Sequence, residues 1–278
     1  MIDLVTVVFR DELSVLKLQA QSIELYCQDI GIRNIYVIVN DDQATADQID
    51  TQWWGVLANQ VTVVSRSAFS TQFVENGWVS QQVLKLLAAS MSYNTWTMVL
   101  DAKTIFVKSI NLSDLIGQDG RACIGTMDIF PVFDPARLRI NQTYNIDLRH
   151  QLKPGGVPFL FQNDIVRSMI CETTFLVKKS FPLWFQEQGI ITEFMLYAGY
   201  LQYKFKGFGS YYSKGTVKVC NLCHSEVKNF DAKFWRMNHQ DTQTVSIHRN
   251  AWTQLTDGQK KQYEDLLISR GITMARDL

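Results

Sequence analysis

The stretch WTMVLDAKTIFVKS, residues 96–109, decides how this chain is read. Trp96 to Leu100 form a mainly apolar run of strand length, interrupted only by Thr97, as expected for a strand buried on both faces. The run ends on Asp101, followed by Ala102 and Lys103. Ligands of open α/β sheets gather beyond the carboxyl ends of the strands, so Asp101 is either part of a ligand site or the cap of a turn.

Upstream, DLVTVVF (3–9), NIYVIVN (34–40) and VTVVS (61–65) read as further short, β-branched strands. Between them, Leu13, Leu16, Ala20, Ile23 and Cys27 mark one face of a helix, and residues 44–57 predict a second helical segment. The stretch GWVSQQVLKLLAASM (77–91) carries apolar residues at helical spacing, with Ser80, Gln81 and Lys85 turned elsewhere. Strands that alternate with helices imply a mostly parallel sheet with both faces covered. Arg10-Asp11, Asn40-Asp41-Asp42, Ser65-Arg66 and Asp101 all fall at strand ends, where the ligand crevice is expected.

Regularity fades between Met127 and Phe159, a stretch holding Pro131, Pro135, Pro154 and Pro158; it reads as a long functional loop. FLFQNDIVRSMI (159–170) then reads as a helix and TTFLVKK (173–179) as a strand. FPLWFQEQG (181–189) and ITEFMLYAGYLQYKF (191–205) read as two helices. TVSIH (244–248) closes as a strand, and residues 256–271 as a helix with Thr256 at its start and Gly271 at its end.

The chain of 278 residues can bury a substantial core and is expected to be a single domain over 1–278. Its 27 basic and 27 acidic side chains give no field that would attract nucleic acid, so an anionic ligand must be held by local groups. No apolar stretch approaches membrane-spanning length. The start directly on a strand, with five scattered cysteines, predicts a cytoplasmic protein; peripheral association with a membrane is compatible with this. The CNLCH motif (220–224) matches the spacing of haem attachment or half a zinc site. With no second cysteine pair, it reads as a loop with two ordinary thiols.

Several features in this order resemble the A-type glycosyltransferases, and more narrowly a bacterial and viral glycosyltransferase-like family. They are Arg-Asp after the first strand, Gly-Trp-x-x-Gln-Gln-x-x-Leu-Lys-Leu, Leu-Asp-Ala-Lys, Thr-Glu-Phe-x-Leu-Tyr-x-x-Tyr and a late Ser-Ile-His. The resemblance covers roughly residues 2–250. It implies a Rossmann-like A-type domain with the nucleotide-sugar donor over residues 1–126 and the acceptor, a glycan or a lipid-linked sugar, over 127–278. The implied activity is sugar transfer, as in polysaccharide biosynthesis. An inactive nucleotide- or carbohydrate-binding protein on the same scaffold and a nucleotidyltransferase are the alternatives.

The family's usual Asp-x-Asp motif holds Mn or Mg against the leaving diphosphate. Here the second acid is replaced by Lys103. A unit charge pair at about 4 Å and an effective dielectric of about 20 is worth roughly 4 kcal/mol, and a divalent ion would repel an ammonium about twice as strongly. Lys103 must therefore turn away from a metal or meet the diphosphate itself, so metal-independence is open. The resemblance carries metal or diphosphate binding to Asp101 and His248, with Arg249 as a second phosphate contact; a structural histidine and a surface charge are the alternatives for the last two. Arg10, Asp11, Gln81, Gln82 and Lys85 are expected at the donor, although Asp11 is equally explained as a helix cap and the glutamines as solvated. Glu193 is the first candidate for the base or for holding the acceptor, or else it caps its helix. Trp78 and Tyr197 are expected to stack on the acceptor, with core packing as the alternative.

Overall fold

The computed structural model describes residues 1–69, 73–74, 76–153, 158–215 and 217–273. Pro154, one of the prolines of the expected loop, lies outside them.

Strand β1 (Ile2–Val8) is buried along its whole length and sits near the middle of the main sheet, as its β-branched run requires. It pairs in parallel with β2 (Ile32–Val39) on one side and β4 (Trp96–Asp101) on the other; β3 (Val61–Ser65) extends the sheet beyond β2. Helix α1 (Leu13–Tyr26) connects β1 to β2, and α2 (Gly77–Met91) precedes β4. Asn76 starts α2 by accepting from the backbone N–H groups of Trp78 and Val79. The Asn40 side chain, at the end of β2, ties that helix start down through the Gly77 carbonyl at 3.0 Å and the Ser80 hydroxyl at 2.8 Å. Gly77 lies so close to the Phe9 ring that a Cβ there would come within 2.6 Å of it.

Strand β5 (Ile105–Phe106) leaves the main sheet and pairs antiparallel with β8 (Thr244–Ile247), which runs parallel to β7 (Val219–Leu222). The main sheet is closed at the other edge by β6 (Phe159–Gln162), antiparallel to β4 with Trp96 opposite Gln162. The regions 1–126 and 127–278 thus share both sheets.

Four readings of the sequence are corrected here. Residues 159–162 form a strand rather than a helix, because their apolar side chains are buried along the free edge of β4; the helix α4 begins only at Asn163 (Asn163–Val177). Residues 173–177 complete α4 instead of forming a strand, and the Tyr144 and Thr173 hydroxyls meet in the core at 2.6 Å. Tertiary packing overrides the β-preference of Thr-Thr-Phe-Leu-Val. The region 44–57 is a short turn of helix, Gln43–Ala46, and a 3₁₀ segment, Thr51–Gln60, interrupted by Gly55 at φ +50°. The supposed loop of 127–159 is largely ordered. It contains α3 (Asp134–Tyr144), with Pro135 in its first turn, inside a hairpin of Thr126–Asp128 with His150–Leu152.

Helices α5 (Phe181–Gln188) and α6 (Glu193–Phe205) follow as expected, with Thr192 capping α6 through the Met195 N–H. α7 (Phe230–Asn238) covers β7. After β8 come the short α8 (Arg249–Trp252) and α9 (Asp257–Ser269), the latter capped by Thr256 and ended at Gly271 with φ +75°. No helix among the described residues is long and apolar enough to cross a membrane.

Candidate functional site

The end of β4 is held from below by α1. The Gln19 side-chain amide donates to the Asp101 carbonyl at 2.7 Å and to the Thr104 carbonyl at 3.1 Å, and Ser22 accepts from the Phe106 N–H. The Thr104 N–H closes the turn onto the Asp101 carbonyl at 2.9 Å. This fixed turn presents Asp101 and Lys103 side by side.

Both Asp101 oxygens are engaged by ammonium groups: Lys85 lies 2.8 Å from Oδ1 and Lys103 lies 2.9 Å from Oδ2. Lys85 also reaches Glu193 Oε1 at 3.0 Å and lies over the Phe194 ring. Three elements therefore meet in a chain of alternating charge, Lys103–Asp101–Lys85–Glu193. Its outer end is accessible, with the Asp101 and Lys103 side chains each 30% exposed, whereas the Lys85 and Glu193 side chains are 4% and 3% exposed. Gln82 joins the inner end by accepting from the Glu193 N–H at 3.2 Å while donating to the Trp78 carbonyl.

Burial alone would push the Lys85 ammonium toward deprotonation, but Asp101 and Glu193 outweigh it and hold its pKa above the ordinary value. Burial would likewise raise Asp101, yet the two lysines hold its carboxyl well below the usual range. Glu193 is shifted the other way: burial prevails over Lys85, and its carboxyl titrates above the usual range.

His248 stands at the end of β8, where its Nδ1 accepts from the Asn250 N–H at 3.2 Å. A ring nitrogen that accepts carries no hydrogen, so the neutral imidazole presents its hydrogen on Nε2, as a donor. Burial lowers its pKa, and the charges of Lys103, His224 and Arg249 lower it further. These residues do not fit a divalent cation as arranged. Both Asp101 oxygens face ammonium groups, and His248 has the tautomer that donates from Nε2. Among the described residues no group of three His, Cys, Asp or Glu side chains is placed to hold a metal.

Of the other expected residues, Arg10 is occupied by the end of β2, with its guanidinium 2.8 Å from Asp42 and 3.1 Å from the Thr45 hydroxyl. Asp11 and Arg249 face one another at 3.8 Å on the exposed rim. Gln81 is half-buried, and its side chain makes no hydrogen bond among the described residues. Trp78 is 45% exposed. Tyr197 is corrected as an acceptor contact: it is fully buried, and its hydroxyl accepts from the Gln162 N–H and meets the Tyr212 hydroxyl. Glu193, buried and paired with Lys85, lies beneath the site rather than on its surface.

Two groups escaped the sequence reading. Glu12 directly follows Arg10 and Asp11. It is half-buried and close enough to Lys103, Asp101 and Arg249 to feel their charge, and burial raises its carboxyl pKa. His224 belongs to the CNLCH motif. Strand β7 ends beside β8, with the His248 N–H bonded to the Leu222 carbonyl, and this pairing brings His224 near His248. Cys220 is buried on β7 and Cys223 is exposed.

Among solved structures, the fold is similar to an active-site mutant of LgtC at 15% identity and a TM-score of 0.51, covering 99% of this chain and 98% of that one. The galactosyltransferase LgtC in complex with donor and acceptor sugar analogs matches at 12% identity and a TM-score of 0.48, with the same coverage. The architecture is the A-type glycosyltransferase fold. Comparison with curated proteins finds no match. Residues 4–248 match one family over most of the chain, and the protein belongs to that family, the family of unknown function DUF6492.

Proposed function

We propose that the protein is a glycosyltransferase that uses a nucleotide-sugar donor and meets the donor diphosphate with lysine in place of a divalent cation. The observation that carries this reading is the position of Lys103, accessible at the strand end and 2.9 Å from Asp101. An ammonium has three N–H donors. Asp101 takes one and leaves the others for phosphate oxygens. Lys85 pins the opposite Asp101 oxygen, so the carboxylate that orients Lys103 is itself fixed.

In this reading the nucleotide lies over the ends of the first strands. Lys103, the Nε2–H of His248 and Arg249 stabilise the charge that develops on the leaving diphosphate, which is where a preorganised site does most for the rate. Glu193 holds Lys85 and acts as a positioning residue. The acceptor is a glycan or a lipid-linked sugar.

Calorimetry with a panel of nucleoside diphosphates, in EDTA and again with manganese, tests the reading alongside an assay for diphosphate release from nucleotide-sugars. Binding in EDTA with turnover of at least one donor is expected. Failure to bind any nucleotide would overturn it. Because Asp101 is fully engaged by cations, a second reading is a scaffold that binds nucleotide without transfer, and binding without turnover of any donor would establish that instead.

A further inference from the structure

A cavity of about 290 Å³ lies between the start of α1, strands β5 and β8, and helices α8 and α9. Its floor is apolar, formed by Val15, Leu18, Ile105 and Ile247. Its polar groups are mainly acceptors: Asp11, Glu12 and Glu264, with Ser14 and Tyr263 adding hydroxyls. Lys103 and Arg249 complete the border on the side of the Asp101 cluster.

Tyr263 is the informative residue. It is 7% exposed, and its ring packs edge-on to Trp252 with centroids 6.0 Å apart. Its hydroxyl has no hydrogen-bond partner among the described residues, although it borders the cavity. The hydroxyl holds nothing within the protein and borders the cavity, so it is free to exchange water for a hydrogen bond to a ligand there. The Glu264 side chain, one residue on, is likewise without an ion pair or hydrogen bond among the described residues.

The chemistry selects an uncharged, hydroxyl-rich ligand with an apolar face. The three carboxylates outnumber the two cations of the lining, Lys103 and Arg249, which disfavours a phosphate inside the cavity, and they accept hydrogen bonds from hydroxyl groups; the Trp252 and Tyr263 rings and the aliphatic floor pack against C–H surfaces. The volume is near the lower end of the ~300–1,000 Å³ range of small-molecule sites, enough for a small saccharide. The position also fits, because Lys103 borders this cavity while its ammonium touches Asp101. By contrast, Tyr197 and Glu193, where the sequence places the acceptor, are buried.

We propose that this cavity is a saccharide subsite that seats the neutral acceptor sugar beside the donor diphosphate. The proposal rests on the glycosyltransferase reading and adds to it the acceptor's class and location.

The test is saturation-transfer NMR on the full chain with a panel of neutral methyl glycosides and disaccharides, run alongside calorimetry with nucleoside diphosphates. At least one saccharide is expected to bind the wild type. Tyr263→Phe should weaken that binding about 5-fold, the effect of one hydrogen bond. It should leave nucleotide affinity and the thermal unfolding midpoint unchanged, because the hydroxyl holds nothing in the protein. Glu264→Gln should weaken saccharide binding in the same way. Saccharide binding unaffected by both substitutions overturns the subsite. So does nucleotide binding with no saccharide bound, which leaves the proposed function standing. Binding of neither ligand overturns both.

Discussion

Lys85 and Glu193, 108 residues apart in the chain, meet at 3.0 Å with both side chains almost wholly buried. The contact joins α2 to the start of α6, and Lys85 carries it on to Asp101 at the end of β4. A charged pair in such a place does not by itself argue for high stability, since two ions have been taken out of water. Its value is positional: the accessible Asp101–Lys103 pair rests on a buried ion pair.

Removing the shared cation leaves two carboxylates facing one another. Lys85→Met is therefore expected to destabilise the fold by about 3–5 kcal/mol, read from urea unfolding. Adding Glu193→Gln should recover part of that loss by removing the unpaired buried charge. A single variant within 1 kcal/mol of wild type, on the ~1 kcal/mol scale of ordinary substitutions, would count against this account.

The same cluster predicts the pH dependence of stability. Asp101 is depressed, so its contribution is present above the ordinary value of 3.8 and is lost as pH falls through its lower folded value. Lys85 is raised, so its contribution is complete below 10.5 and is lost as pH rises through its higher folded value. Glu193, also raised, has the opposite sign to Asp101: it favours the fold at low pH and opposes it once pH passes its folded value. Asp101→Asn should flatten the acid limb of a plot of urea midpoint against pH. An unchanged acid limb would show that other carboxylates set it.

Lys103→Ala should lower nucleoside diphosphate affinity at least 10-fold in EDTA, which corresponds to about 1.4 kcal/mol. The loss should be smaller for the corresponding nucleoside alone, which has no phosphate to meet. Equal losses for both would place Lys103 away from the diphosphate. Lys103→Asp removes the ammonium from Asp101 and is expected to introduce a manganese requirement for nucleotide binding, measured by the same calorimetry.

His248 is held below its ordinary pKa of 6.5 by burial and by Lys103. It is neutral at pH 7 and gains a charge as pH falls below that ordinary value. An anion beside it favours the protonated ring, so diphosphate affinity should rise as pH falls through this window. His248→Ala should remove that rise while leaving the fold intact. A wild-type affinity that is flat from about pH 7 to about pH 5, a window that begins just above the ordinary imidazole value and extends below it, would separate His248 from the phosphates.

Gly199 on α6 faces α3 so closely that a Cβ would lie 2.3 Å from Ile140 Cγ2. Gly199→Ala should destabilise by about 1–3 kcal/mol through overpacking. Combining it with Ile140→Ala should cost less than the sum of the two single changes, because the second removes the methyl that clashes. Additive losses in thermal or urea unfolding would argue against the contact.

The sequence by itself determined the features whose cause is local. The four strands up to β4, the helices α1 and α2, the caps at Thr256 and Gly271, and the placing of Asp101 and Lys103 at a strand end all follow from runs of apolar residues and their neighbours. Tertiary structure decided what depends on distant partners. Phe159–Gln162 is a strand because β4 has a free edge beside it, and the same apolar run would have suited a buried helix. Tyr197 is core rather than surface because Tyr212 and Gln162 take its hydroxyl. His224, set aside with a cysteine motif, comes near His248 because two parallel strands end together. Nothing in the spacing of Lys85, Asp101 and Glu193 announces that one buried ammonium joins both acids. Charges far apart in sequence are paired only when the packing of three elements leaves them no other way out of water.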